Sequence, residues 1–284
     1  MEGGWEDGEG AIAPLDVGVR GIDDHCSGRD GILRQLIVTR GLVLSDLHLL
    51  APRSEGERLV EEWDDSLCSA EVLVLNGDTF DFRWSRLGCE KRSIAAAIGW
   101  VEDLLGRFGG RELHYLAGNH DCLVPFRSRL DELARDHPTL RCHDLHLRMG
   151  RALFLHGDCA NRKMTESGLQ RSREGWSRDR PRGRTRAALY QAIDALGVTE
   201  TFHRWYFPPD RTSARVAHYL DDALPAWRNE IDDCYLGHTH VPFRDYLHEG
   251  VRFHNTGSGI RGMGFQPLAL ETRSEQPSKR KDPN

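Results

Sequence analysis

Six short apolar runs, each ending in a cluster of polar residues, constrain this chain more than any other feature. They are GLVLSDLH (41–48), EVLVLNGD (71–78), ELHYLAGNHD (112–121), RALFLHGD (151–158), CYLGHTH (234–240) and VRFHNTGS (251–258). Runs of about four to six residues rich in Val and Leu, without polar alternation, predict strands buried on both faces. Helices are expected between them. In 94–108, Ile94, Ile98, Val101, Leu105 and Phe108 recur at steps of three and four, one face of an amphipathic helix. Leu59, Val60, Trp63 and Leu67 repeat the pattern less cleanly. Strands alternating with helices predict an α/β sandwich. In such sheets functional groups gather at the carboxyl ends of strands, which is where all six polar clusters stand.

The ends and one long stretch break this rhythm. Residues 1–32 are glycine-rich and acidic and read as a flexible leader. Residues 272–284 read as a disordered polar tail that carries Lys279, Arg280 and Lys281. Between them, 33–271 is expected to form one domain. Within it, 160–230 shows no strand pattern and is rich in arginine and aromatic residues, which predicts a helical cap insertion. Two stripes support that: Leu189, Ile193 and Leu196, then Tyr219, Leu220, Leu224 and Trp227 beyond Pro208-Pro209.

Net charge of -6 gives no global attraction to nucleic acid or anionic membrane. Residues 162–186 nevertheless hold nine Lys or Arg against three acids, a local excess able to guide an anionic substrate. Seven scattered cysteines with no CxxC pair suit a reducing compartment. No run approaches the roughly 18 apolar residues of a membrane span, and MEGGWEDGEG lacks the basic flank and apolar core of a signal peptide. A cytoplasmic location is expected, with peripheral membrane contact through the cap as an option.

The polar clusters carry the chemistry. Asp46 and His48 are two residues apart and so share one side of an extended chain. Asp78 ends the second run with Asp81 three residues on; Asn119, His120 and Asp121 end the third, His156 the fourth, and His238 and His240 the fifth. Carboxylates, imidazoles and an amide oxygen converging from separate strand ends are a donor set for a borderline divalent cation. They are too many for one tetrahedral zinc, and two cations are the better count. The nine histidines outside these clusters, His143 and His146 among them, read as surface or core residues.

DLH, GDTFD, GNHD, HGD and GHTH, in this order over residues 41–258, resemble the five motifs of the calcineurin-like metallophosphoesterases. The resemblance implies a sandwich of two mixed β-sheets flanked by helices. It also implies hydrolysis of a phosphate ester or pyrophosphate by a metal-bridging hydroxide. Two divalent ions are implied, manganese being expected and iron or zinc the alternatives. Asp46, His48, Asp78 and His240 would hold one, and Asp78, Asn119, His156 and His238 the other. His120 would act as the catalytic acid, with Asp81 its orienting partner and Asp121 a weaker candidate. Asn255, Thr256, Gly257 and Ser258 would shape the site wall.

The apolar cap between HGD and GHTH is similar to that of the UDP-2,3-diacylglucosamine hydrolases, which points to a nucleotide-linked or lipid-linked substrate. Two features differ from that branch: histidine stands at 120 where those enzymes carry arginine, and CANRKMTESG follows HGD. A nuclease would need a basic groove, and Trp176 is the only aromatic interleaved with the arginines. A non-catalytic scaffold would lack ligands, and none is missing. Because no motif residue lies in 160–230, the insertion is expected to select substrate, and the metal site to survive its replacement by a short linker.

Overall fold

The parallel pairing of the hydrophobic strands decides where every polar cluster goes. The computed structural model describes residues 34–178 and 198–277, of which Leu36–Gln276 belong to one compact unit. The first sheet contains β1 (Arg34–Leu44), β2 (Val72–Asn76), β3 (Glu112–Leu116), β4 (Leu140–His143) and β10 (Leu268–Pro277), ordered β10-β1-β2-β3-β4. The second contains β5 (His146–Met149), β6 (Ala152–Leu155), β7 (Asp233–Leu236), β8 (Phe243–His248) and β9 (Val251–Asn255), ordered β5-β6-β7-β9-β8. β1 through β4 run parallel, as do β6, β7 and β9, while β5 and β8 are antiparallel edges. All six apolar runs are therefore strands, and their clusters emerge on one side of each sheet.

Side-chain alternation builds the layers. From β2, Val72 and Val74 face the second sheet and pack with Phe154, Tyr235 and Leu268, while Leu73 and Leu75 face helices. Those helices are α1 (Gly56–Glu62), α2 (Asp64–Ser69), α3 (Glu90–Phe108) and α4 (Val124–Asp136). α3 buries the predicted stripe of Ile94, Ile98, Val101, Leu105 and Phe108 and ends on Gly109 at φ 64°, a left-handed cap that glycine takes without cost. The pattern around Leu59 is weaker because α1 and α2 are two short helices broken at Trp63.

On the outer side of the second sheet lie α5 (Glu166–Trp176), α7 (Pro209–Ala223) and α8 (Trp227–Glu230), while α6 (Val198–Tyr206) sets His203 against His240. Among the described residues of 160–230 there is no strand, and those in regular structure are helical. The role of the insertion differs from that of an independent cap, however. Val216, Tyr219, Leu220 and Trp227 are buried against Leu153, Leu155, Leu236 and Phe253. α7 and α8 thus form the second helical layer that the sheet needs to cover its apolar face. The stripe Leu189, Ile193 and Leu196 and the leader lie outside the described residues. β10 extends to Pro277, into the stretch expected to be tail.

Candidate active site

Five of the predicted residues stand at strand ends where the chain turns sharply. Asp46, His48, Asp78, His238 and His240 all have φ between 48° and 64°. Non-glycine residues in this left-handed region cost roughly 1–2 kcal/mol each, strain that gathers at functional sites. The turns are crowded as well as strained. A Cβ on Gly118 would strike the Asp78 carboxylate, and one on Gly237 would strike Asp46 and Ser45, so GNHD and GHTH need their glycines for close approach. Asn76, at the end of β2, sends its amide NH2 across to the Leu155 and Tyr235 carbonyls, 3.2 Å each, pinning the two sheets together beneath the site.

Three groups of ligand atoms lie close enough to share a cation: Asp46, His48 and His240; Asp78, His156 and His238; His48, Asp81 and His120. In the first, His240 Nε2 lies 3.2 Å from Asp46 Oδ1 and 3.1 Å from His48 Nε2. In the second, His156 Nε2 is 3.2 Å from both Asp78 Oδ2 and Asn119 Oδ1 and 3.3 Å from His238 Nδ1. Asp78 stands between the two, 3.9 Å from His48 Nε2. Asp46 Oδ1 is buried yet accepts no hydrogen bond. Buried polar atoms normally have partners. An orphaned carboxylate oxygen among inward-facing imidazole nitrogens is a donor set that fits a divalent cation.

Electrostatics follow from this crowding. Burial alone would raise Asp78 and lower His156, but their mutual charge prevails. The Asp78 carboxyl is held well below its usual range, and His156 is raised to about 9. Burial lowers His238 to about 3, helped by the charge on His156, and lowers His240 to about 4. His120 Nδ1 lies 3.1 Å from Asp81 Oδ1. Burial works against a charge on His120, yet Asp81 and Asp78 outweigh it and raise its pKa.

Asp81 owes its aim to its neighbours: Phe80 and Phe82 plunge into an aromatic cluster with Phe126, at ring separations of 5.6 and 4.8 Å, and leave the carboxylate between them pointing at the site. Asp121 is the correction. Its carboxylate accepts from Tyr115 Oη, Thr79 N and Gly118 N at 2.6–2.8 Å. It braces the GNHD turn and does not face His120. The 255–258 loop is a wall as expected: Thr256 Oγ1 lies 2.9 Å from Ser45 Oγ, and Ser258 Oγ donates to Asp46 O.

Three residues that touch the site had no motif to announce them, and all three come from the insertion. Asn161 Oδ1 lies 2.9 Å from His238 Nε2. His203 on α6 stacks parallel to His240 at 4.9 Å and bonds the Thr239 carbonyl through Nδ1. Arg173 on α5 grips Asp158 with two nitrogens. Asp158 itself stood in HGD, where its position two residues after His156 was the available signal. Of the nine predicted basic residues, Arg173 is buried, Arg162, Lys163, Arg171 and Arg178 are exposed, and Arg180 to Arg186 lie outside the described residues.

Residues 39–242 match the family model described as calcineurin-like phosphoesterase. Comparison with curated proteins gives no significant match. Among solved structures, the chain is similar to phosphopantetheinyl hydrolase from Mycobacterium tuberculosis at 15% identity over 77% of this chain and 89% of that one, with a TM-score of 0.40. It is also similar to a dimetal phosphatase from Danio rerio at 13% identity over 84% and 95%, with a TM-score of 0.43. Family-model coverage runs from the strand before Asp46 to just beyond His240, well over half of the sequence, and the chain belongs to the calcineurin-like phosphoesterase family as a metal-dependent phosphoesterase.

Proposed function

We propose that this phosphoesterase is dinuclear and cleaves a phosphate ester or pyrophosphate in a nucleotide-linked or lipid-linked substrate. The observation that carries the reading is the position of Asp78 between two ligand clusters, one from Asp46, His48 and His240 and one from His156 and His238. Asp46, His48, Asp78 and His240 would hold one cation, and Asp78, Asn119, His156 and His238 the other. When bound, such a pair lowers the pKa of a coordinated water and draws charge from the phosphoryl oxygens. The mixed nitrogen and oxygen donors accord with manganese, with iron and zinc as alternatives.

The chain's own groups divide the remaining work. Asp81 orients His120 through Nδ1, and the carboxylates around it keep a proton on the ring. His120 Nε2 then holds that proton for the leaving oxygen, the role of a general acid. Phe202 and Trp205 on α6 are about half and two-thirds exposed beside His203. They offer an apolar ledge next to the site for a lipid or base, or for peripheral membrane contact. Cys89, Cys122, Cys142, Cys159 and Cys234 are free thiols, in keeping with a cytoplasmic location, and no described helix is long and apolar enough to cross a membrane.

The test is a hydrolysis screen of manganese-loaded protein against p-nitrophenyl phosphate, its bis ester, UDP-sugars and short DNA. Asp78→Asn serves as the control, expected to abolish turnover and hold fewer than two metals per chain. An Asp78→Asn protein that keeps two metals and a tenth of wild-type turnover would rule out the shared ligand.

A further inference from the structure

The insertion sends one charged side chain through to the floor of the site. Arg173, on α5, is 8% exposed, and its guanidinium hydrogen-bonds to Asp158, Ala117 and Asp144 inside the protein. Nε and Nη2 donate to the two oxygens of Asp158 at 2.8 and 2.9 Å, a bidentate fork. Nη1 donates to the Ala117 carbonyl at 2.6 Å and the Asp144 carbonyl at 3.0 Å. Asp158 lies two residues after His156, and Ala117 lies two before Asn119. One guanidinium therefore ties the loop carrying His156 to the loop carrying Asn119. The gap it spans is the one across which His156 Nε2 and Asn119 Oδ1 stand 3.2 Å apart.

We propose that Arg173 is a positioning residue for the second cation, fixing the separation of the Asn119 and His156 loops through its fork to Asp158 and its bond to Ala117. The inference rests on the reading of Asn119 and His156 as ligands of that cation. Its geometry explains why an arginine and not a lysine stands here: only the planar fork meets a carboxylate in two places while a third nitrogen reaches two carbonyls. It also explains the pairing of HGD with α5. The Asp158 carboxylate, otherwise buried without a role, is the anchor from which the guanidinium reaches the neighbouring loop. Partners of metal ligands in this outer position set affinity on the scale of roughly 10–100-fold.

The experiment uses the full chain, stripped of metal and titrated with Mn2+ by calorimetry, with metal-free amide hydrogen exchange as a second readout. Arg173→Met strands a buried carboxylate and is liable to unfold, so the double variant Asp158→Leu/Arg173→Met, which leaves no charge behind, is the deciding one, with Arg173→Lys beside it. The expected result is a folded double variant whose first Mn2+ binds as in wild type and whose second binds roughly 10–100-fold more weakly. Arg173→Lys should fall between. In the metal-free protein, exchange should quicken at 117–122 and 155–158 while the rest of the second sheet keeps its protection. A double variant that binds both ions with wild-type affinity would overturn the proposal. So would global unfolding of both the double variant and Arg173→Lys, which would make the pair a keystone of the fold. If wild type itself binds one ion or none, the dinuclear reading fails, and the hydrogen-exchange readout still reports on the tie between the loops.

Discussion

His120 is held on three sides: Asp81 at 3.1 Å, the edge of His48 at 5.0 Å between ring centres, and Trp176 at 4.9 Å. A ring fixed in this way donates its proton along one direction. His120→Ala should keep both metals and lose roughly 10²–10⁴-fold in kcat, the scale of a positioned acid. The loss should shrink with leaving groups that need no proton, and equal losses on p-nitrophenyl and alkyl phosphates would argue against the role. Protons also govern metal uptake. His156, with its pKa near 9, carries a proton in the metal-free protein at pH 7.5, and His48 is shifted the same way, burial being outweighed by the carboxylates of Asp46 and Asp81. His238 and His240 carry none, since burial has lowered both. The signs oppose each other. A raised histidine pKa stabilises the metal-free fold fully below the unfolded value of about 6.5, a contribution lost as pH rises through 9. The same protons must leave before a cation enters. Mn2+ affinity should therefore climb from pH 6.5 to 9, and calorimetry in buffers of different ionisation enthalpy should show proton release at pH 7.5. A pH-independent affinity with no release would remove His48 and His156 from the ligand set.

Elements were legible where a residue's neighbours in sequence decide its environment. Each of the six strands announced itself because a strand covered on both faces needs no polar alternation, and the glycines marked the turns that the candidate site residues need. What was not legible depended on distant partners. β4, β5 and β8 are short or half-exposed edge strands, with sequences such as HLRM and FRDYLH that carry no apolar run. Arg173 sat among eight other basic residues, and nothing local separates a buried fork from a solvated arginine. Which sheet the insertion covers was not legible for the same reason. Tyr219 and Trp227 were expected to pack the helices on each other and on the core; they cover the second sheet, and Tyr219 Oη meets His146 Nε2 at 2.8 Å. Replacing 160–230 with a short linker would bare Leu153, Leu155, Leu236 and Phe253 and remove Arg173, Asn161 and His203 from the site. We expect that protein to lose near-ultraviolet circular dichroism and cooperative melting, whereas Trp227→Ala should fold at a cost of about 3–5 kcal/mol. A linker variant that melts cooperatively and hydrolyses p-nitrophenyl phosphate would restore the independent cap.

At the scale of the molecule, the site lies on the seam between the two sheets. Asp46, His48, Asp78 and Asn119 follow strands of the first sheet, and His156, His238 and His240 follow strands of the second. Side-chain-to-backbone bonds already cross the seam there: His238 N donates to Asp46 Oδ2 at 2.8 Å, and Asn76 Nδ2 donates to the Leu155 and Tyr235 carbonyls. Cations held by both sets of ligands would add a further tie between halves whose shared apolar layer is the smallest of the three core clusters. Since the unfolded chain cannot assemble such a site, binding stabilises the fold by about 2.7 kcal/mol per ion at a hundredfold excess over Kd. For a domain of this size each kcal/mol moves Tm by roughly 2–4 °C. Two ions should thus raise Tm by roughly 10–20 °C at that excess, and chelation should reverse the gain in one cooperative transition. Asp78→Asn, which weakens both positions, should melt near the chelated wild type and respond little to added Mn2+. A wild-type Tm that does not change on chelation, in protein shown to have held two ions, would mean that the unfolded chain binds the ions as tightly as the folded one, and that no site assembled from both sheets holds them.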